Sequence, residues 1–157
     1  MNIRLLVVGK TDVAWVREAL EIYTSRLVHY VPFSVSEIPQ LKGVSALTRA
    51  QIKDKEAELI LARLKPADEL LLFDEHGKEF TSVAFATFLQ ERMLHVRGDL
   101  VFAIGGAYGF AESVHARAAG EISLSRMTFS HQMVRAIAAE QLYRAMTIIK
   151  GEPYHNE

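Results

Sequence analysis

Two stretches of this chain carry side chains whose type and spacing allow chemistry. The first is Gly105-Gly106-Ala107-Tyr108-Gly109, which follows directly on the apolar run Leu100 to Ile104. Glycines after a buried strand let a ligand approach the backbone closely, but the same residues also make an ordinary tight turn. Spacing alone leaves both readings open. Their late place in the chain argues against a nicotinamide dinucleotide site, whose glycines follow the first strand. The second stretch is 130–151. At about 100 degrees per residue on a helical wheel, Arg135 falls between Leu142 and Met146, and Arg144 between Met133 and Ile137. A guanidinium on an apolar face is costly unless an anion accompanies it. Glu140, four residues before Arg144, would be a structural partner; a phosphate or a substrate base would be a functional one. From Ile122 to Gly151, Arg126, Arg135, Arg144 and Lys150 stand against Glu140 alone, a local charge of +3 in a chain of net charge −1. That is a small basic patch of the kind RNA contact requires.

Other chemistries lack their residues. Gly9-Lys10-Thr11 has the form of the end of a phosphate-binding P-loop, but Arg4 stands where that loop needs a glycine, so a plain strand-to-helix turn is expected. The six histidines show neither His-x-His nor His-Glu-x-x-His spacing, and no cysteine is present, so no metal site is expected. His29, His76 and His95 read as solvated or structural. No Gly-x-Ser-x-Gly elbow supports nucleophilic hydrolysis.

The elements that must position these residues alternate. Ile3 to Val8 reads as a buried strand, followed by a helix over 13–29 that Asp12 could cap. Phe33 to Ile38 alternates as a second strand. Gln40 to Leu47 reads as loop, and Thr48-Arg49-Ala50-Gln51 as a capping box opening a charged helix to about Leu64. Strand 69–73, a turn over Asp74 to Lys78, helix 82–96, strand 100–104, a short helix over 112–118 and strand 121–124 follow. Strict alternation implies parallel strands with crossover helices, hence an α/β fold with helices on both faces. The last helix, capped by Ser130 and ended by Gly151, has apolar residues in almost every direction. Its only mostly polar arc holds Gln132, Glu140, Thr147 and Lys150. Such a helix must be buried on several sides, by its own sheet and by a second chain, which predicts a homodimer.

With 157 residues, half of them apolar, one domain over 1–157 with a substantial core is expected. Charges of 18 and 19 nearly cancel, so no long-range field draws in a polyanion. The start MNIRLLVVGK lacks a long apolar run, giving a cytoplasmic expectation without membrane contact.

Three runs together are more specific than any one of them: Ile122 to Gln132, Glu140-Gln141-Leu142-Tyr143-Arg144-Ala145, and Pro153-Tyr154-His155. They resemble the RlmH family, small SPOUT-class methyltransferases that methylate N3 of a pseudouridine in 23S ribosomal RNA of the large subunit. The resemblance covers the whole chain, including Val7-Val8-Gly9-Lys10 and Phe73-Asp74 to Gly77-Lys78, and is densest after Leu100. It implies a C-terminal trefoil knot, a homodimer, and S-adenosyl-L-methionine as cofactor. Carried over residue by residue, the cofactor contacts would be Phe73, Gly105, Gly106, Leu124, Ser125, Arg126, Met127, Thr128 and Phe129. Asn156 stands where the family often has a basic residue, which removes one phosphate contact.

N3 of a uracil ring is a weakly acidic imide whose lone pair becomes available as its proton leaves. The residues assigned to this chemistry are Arg144, orienting substrate or phosphate, His131 or His155, handling the proton, and Tyr154, stacking on the base or closing the pocket. The structural alternative is that His131 caps the final helix and that Tyr154 and His155 only dock the tail. So small a patch is too weak for free RNA, and the expected substrate is the assembled ribosome or large subunit. A non-catalytic ribosome-binding factor is the rival reading, although it has no need of the glycine loop.

Overall fold

The computed structural model describes residues 1–157. The expected strands form one parallel sheet: β1 (Ile3–Val8), β2 (Phe33–Ile38), β3 (Glu69–Glu79), β4 (Leu100–Ile104) and β5 (Gly120–Ser123), in spatial order β2-β1-β4-β3-β5. Side chains alternate across it as strand geometry requires. Leu5, Val7, Leu71, Phe73, Phe102 and Ile104 point to one face; Leu6, Val8, Leu70, Leu72, Val101 and Ala103 point to the other. The first face is covered by α1 (Ala14–Leu27), α3 (Ser82–His95) and α5 (Met133–Ile149), and the second by α2 (Arg49–Leu61) and α4 (Glu112–Arg117). Both faces are apolar because both are covered.

Four local expectations change. Asp12 does not cap α1; Val13 occupies the cap position with no side-chain bond, and the Asp12 N–H instead donates to Gln132 Oε1. Helix α2 begins with the expected reciprocal bonds between Thr48 and Gln51, yet ends at Leu61, three residues early. The 40–47 loop contains one 3-10 turn at Val44–Ala46. The largest change is at Asp74 to Lys78. Instead of ending the strand, these residues form an irregularity within β3, which pairs with β5 through Phe73 and again through Lys78. Gly77 allows this, since a Cβ there would lie 2.6 Å from the Glu121 carbonyl carbon.

Helix α5 is anchored at both ends. Ser130 Oγ accepts from the Met133 N–H. At the C-terminus, Gly151 (φ 71°) donates to Ile148 O and Glu152 to Thr147 O, a Schellman pairing. Arg135 is fully buried, and its partners are neutral oxygens rather than an anion. Its guanidinium donates to the carbonyls of Val8 (2.7 Å) and Gly9 (3.0 Å) and to Thr11 Oγ1 (2.8 Å), while Nε donates to His131 O. These bonds tie the start of α5 to the carboxyl end of β1. Burial holds the Arg135 pKa below that of a free arginine.

Candidate functional site

A cleft of about 650 Å³ opens at the carboxyl ends of β3 and β4. This is where a parallel sheet presents ligands, because the loops leaving the strands converge there. Its floor is apolar: Phe73 ends the buried part of β3 and stacks on Phe102 at 5.5 Å, with Ile104 beside it. One wall is the loop from Gly105 to Phe110, held by a Gly109 N–H to Gly106 O bond. A side chain would meet backbone tightly at Gly105 and only the end of the flexible Glu56 side chain at Gly106. A Cβ would lie 3.3 Å from Gly109 C at the first and 2.7 Å from Glu56 Oε2 at the second.

The opposite wall is the segment between β5 and α5. Leu124, Ser125, Met127, Thr128 and Phe129 all line the cleft, and His131 stands at its edge. Ser125 Oγ accepts from the Met127 N–H, and Thr128 donates to Glu75, which fastens this loop to the irregular part of β3. Met127 is 77% exposed, so the mouth of the cleft carries an apolar side chain open to solvent. Of the residues assigned to the cofactor, only Arg126 is absent from the lining; it pairs with Glu79 at 2.6 Å and points away.

The structure separates the residues assigned to catalysis. His131 is at the cleft, whereas Arg144, Tyr154 and His155 form a second cluster near the other end of α5. At a rise of 1.5 Å per residue, thirteen residues put Arg144 roughly 20 Å along the axis from His131. In this cluster Arg144 donates to Glu140 Oε1 from Nε and Nη2 (3.0 and 2.6 Å), lies 3.1 Å from His155 Nδ1, and stacks over Tyr154 at 4.7 Å. Tyr154 Oη donates to the same Glu140 oxygen at 3.0 Å. The Glu140 pairing raises the Arg144 pKa, and burial with hydrogen bonding to Tyr23 and Glu140 raises that of Tyr154. Glu140 is thus the partner that the four-residue spacing suggests.

Sequence reasoning did not find the residues that α2 brings to the cleft. Arg49 and Lys53 line it, and the Arg49 guanidinium lies 5.0 Å from the centroid of the Tyr108 ring. The capping box located the start of α2, but no local signal says that this helix lies over the glycine loop. Asp74, Glu75 and His76 also line the cleft, from residues expected to form a turn.

Comparison with known proteins agrees with this architecture. The family model described as "Predicted SPOUT methyltransferase" matches residues 1–155. Ribosomal RNA large subunit methyltransferase H of Parabacteroides distasonis is 55% identical over 157 residues, covering all of both chains. The protein of the same name from Cytophaga hutchinsonii is 51% identical over 156 residues, covering 99% of this chain and all of that one. A solved structure described as giving insights into 2-OH methylation of C/U34 on tRNA shares the fold, with a TM-score of 0.51, 16% identity, and coverage of 93% and 97%. The chain therefore belongs to the SPOUT methyltransferase family, among the relatives of ribosomal RNA large subunit methyltransferase H.

Proposed function

We propose that this protein methylates N3 of a pseudouridine in 23S ribosomal RNA, in the cytoplasm, with S-adenosyl-L-methionine as donor and the assembled ribosome or large subunit as substrate. The observation that carries this reading is the convergence of Phe73, the Gly105-Gly106 backbone and the Leu124 to Phe129 loop on one cleft, in a chain about half identical to rRNA methyltransferases along its whole length. The cleft fits the donor. Its floor is apolar enough for an adenine ring, and the two glycines of its wall let a ligand approach the backbone closely. When bound, the donor supplies an electrophilic methyl group. The chain supplies geometry and exclusion of water: Phe73, Leu124 and Phe129 desolvate, and the glycine loop permits close approach. Proton transfer from the imide falls to His131 or His155, with Arg144 orienting the ring or an adjacent phosphate.

A separation of roughly 20 Å along α5 keeps Arg144, Tyr154 and His155 from serving their own cleft. We infer that they serve the cleft of a second copy in a homodimer. The surface supports such pairing, because Trp15 and Ile22, one α1 face two turns apart, are 52% and 42% exposed, and Met133 at the start of α5 is 40% exposed. The reading also includes one domain over 1–157 and the trefoil knot that the resemblance implies.

The test is incubation with methyl-labelled S-adenosylmethionine and ribosomes lacking the modification, followed by RNA digestion and nucleoside analysis. Label in N3-methylpseudouridine, with little in naked transcript, is the expected result. Ribosome binding without label would favour a non-catalytic assembly factor.

A further inference from the structure

Tyrosines from α1, α5 and the tail meet near the C-terminal end of α5. The Tyr143 ring lies 5.9 Å from that of Tyr23, 6.1 Å from Tyr30 and 4.7 Å from Tyr154, centroid to centroid. Two arginines rest on these rings. Arg144 lies over Tyr154, and the Arg26 guanidinium, from the last turn of α1, lies 5.6 Å from the centroid of Tyr23 and 5.4 Å from that of Tyr143. The two cations are not equivalent. Glu140 accepts from both Nε and Nη2 of Arg144, so that pair presents no net charge to a ligand. The nearby carboxylate of Glu152 accepts from the Tyr30 hydroxyl. Arg26 is exposed and is in no ion pair. The helix dipole favours a cation in the last turn, but any basic side chain free in solvent would serve it, and it does not call for a guanidinium held over two rings. Contact with a ring face leaves the five N–H donors of an arginine free. Arg26 is thus the permanent positive charge of this cluster that is held in place and not neutralised.

We propose that Arg26 binds substrate, holding a backbone phosphate of the ribosomal RNA beside the target nucleotide, while Arg144, already paired, is left to the ring. A guanidinium fork matches two phosphate oxygens at once. One that is already positioned loses less freedom on binding than a side chain loose in solvent. The half-buried tyrosine rings around it suit an unstacked base, since single-stranded RNA is commonly held by stacking on aromatic side chains. Arg26 has this role only if the chain acts on ribosomal RNA as proposed above, whichever copy's cleft the cluster serves.

Ribosomes lacking the modification are the probe. Wild type, Arg26→Gln, Arg26→Lys and Lys55→Gln are compared for ribosome affinity over a series of salt concentrations, and for S-adenosylmethionine affinity by calorimetry. Lys55→Gln is the control, because it removes an exposed cation in no ion pair from α2, on the opposite face of the sheet. Arg26→Gln is expected to weaken ribosome binding about tenfold and to lower the slope of log affinity against log salt by about one, as the loss of one phosphate contact requires. S-adenosylmethionine binding is expected to stay at the wild-type level. Arg26→Lys keeps the charge without the fork, so it is expected to keep the slope and lose only part of the affinity. An unchanged slope in Arg26→Gln would overturn the proposal. So would an equal effect in Lys55→Gln, which would make the charge a generic one, or dissociation of a dimer in sedimentation of Arg26→Gln, which would assign the residue to the contact between copies. Wild type that neither binds nor methylates ribosomes would overturn the rRNA reading itself, and the role of Arg26 with it.

Discussion

Arg135 shows what a buried charge does here. With no exposed surface and four donated hydrogen bonds to neutral oxygens, it joins the α5 N-terminus to the end of β1. Its burial was legible, because residue 135 lies between Leu142 and Met146 on the wheel. Its partners were not, since the carbonyls of Val8 and Gly9 are more than a hundred positions away in sequence and backbone oxygens carry no residue signature. Replacing Arg135 by Met leaves those acceptors buried without donors. Urea unfolding should show a loss of about 3 kcal/mol; a change under 1 kcal/mol would mean that the bonds are replaceable. The tail makes a different prediction. Hydrogen bonding to Glu152 pushes the Tyr30 pKa up to about 12, and burial with hydrogen bonding raises that of Tyr154. A phenol whose pKa is raised on folding stabilises the fold in full below about pH 10, and that contribution is lost as pH climbs through the folded pKa. Absorbance at 295 nm, near pH 11, should show these two of the five tyrosines still protonated in the folded protein and ionised in the denatured chain; matching titration curves would refute the docked tail.

Among the elements, β3 differs most from expectation. Asp, Glu, His, Gly and Lys in succession have the composition of a turn, and locally that reading is sound. What keeps the strand going is pairing of Lys78 and Glu79 with β5, a tertiary contact invisible to local pattern. Strands β1, β3 and β4 were legible as short continuous apolar runs, the form that buried parallel strands take, and β2 from its alternation; α5 was legible from its all-round apolar character. The irregular part of β3 places Asp74, Glu75 and His76 on the cleft, so its integrity bears on the shape of the proposed cofactor site. Gly77→Ala would set a Cβ against Glu121 and Ile122 backbone atoms at 2.6–2.7 Å, which cannot swing aside as a side chain would. The variant should lose about 2 kcal/mol of stability and bind S-adenosylmethionine several-fold more weakly by calorimetry. Wild-type affinity would show that this wall does not shape the site.

At the scale of the whole molecule, the cleft proposed for the cofactor and the Arg144 cluster stand toward opposite ends of α5. The separation was there to be read from the sequence, since the distance from His131 to Arg144 along a helix follows from their numbers alone. What no single sequence supplies is which copy each cluster serves. A working site composed of the cleft of one chain and Arg144 of the other predicts that Arg144→Ala abolishes methylation while S-adenosylmethionine binding stays at the wild-type level, because Arg144 is assigned to the RNA substrate and is absent from the lining of its own cleft. Most direct is a mixture of two inactive variants: one closed at the cleft by Gly106→Leu, the other carrying Arg144→Ala. Combined in equal amounts under exchange, half the dimers are mixed, and each mixed dimer contains one site with both an open cleft and an intact arginine. Methylation of ribosomes should then recover to roughly a quarter of the wild-type rate. If each cleft were served by its own Arg144, every site in the mixture would lack one part, and a mixture as inactive as either variant alone would contradict the account.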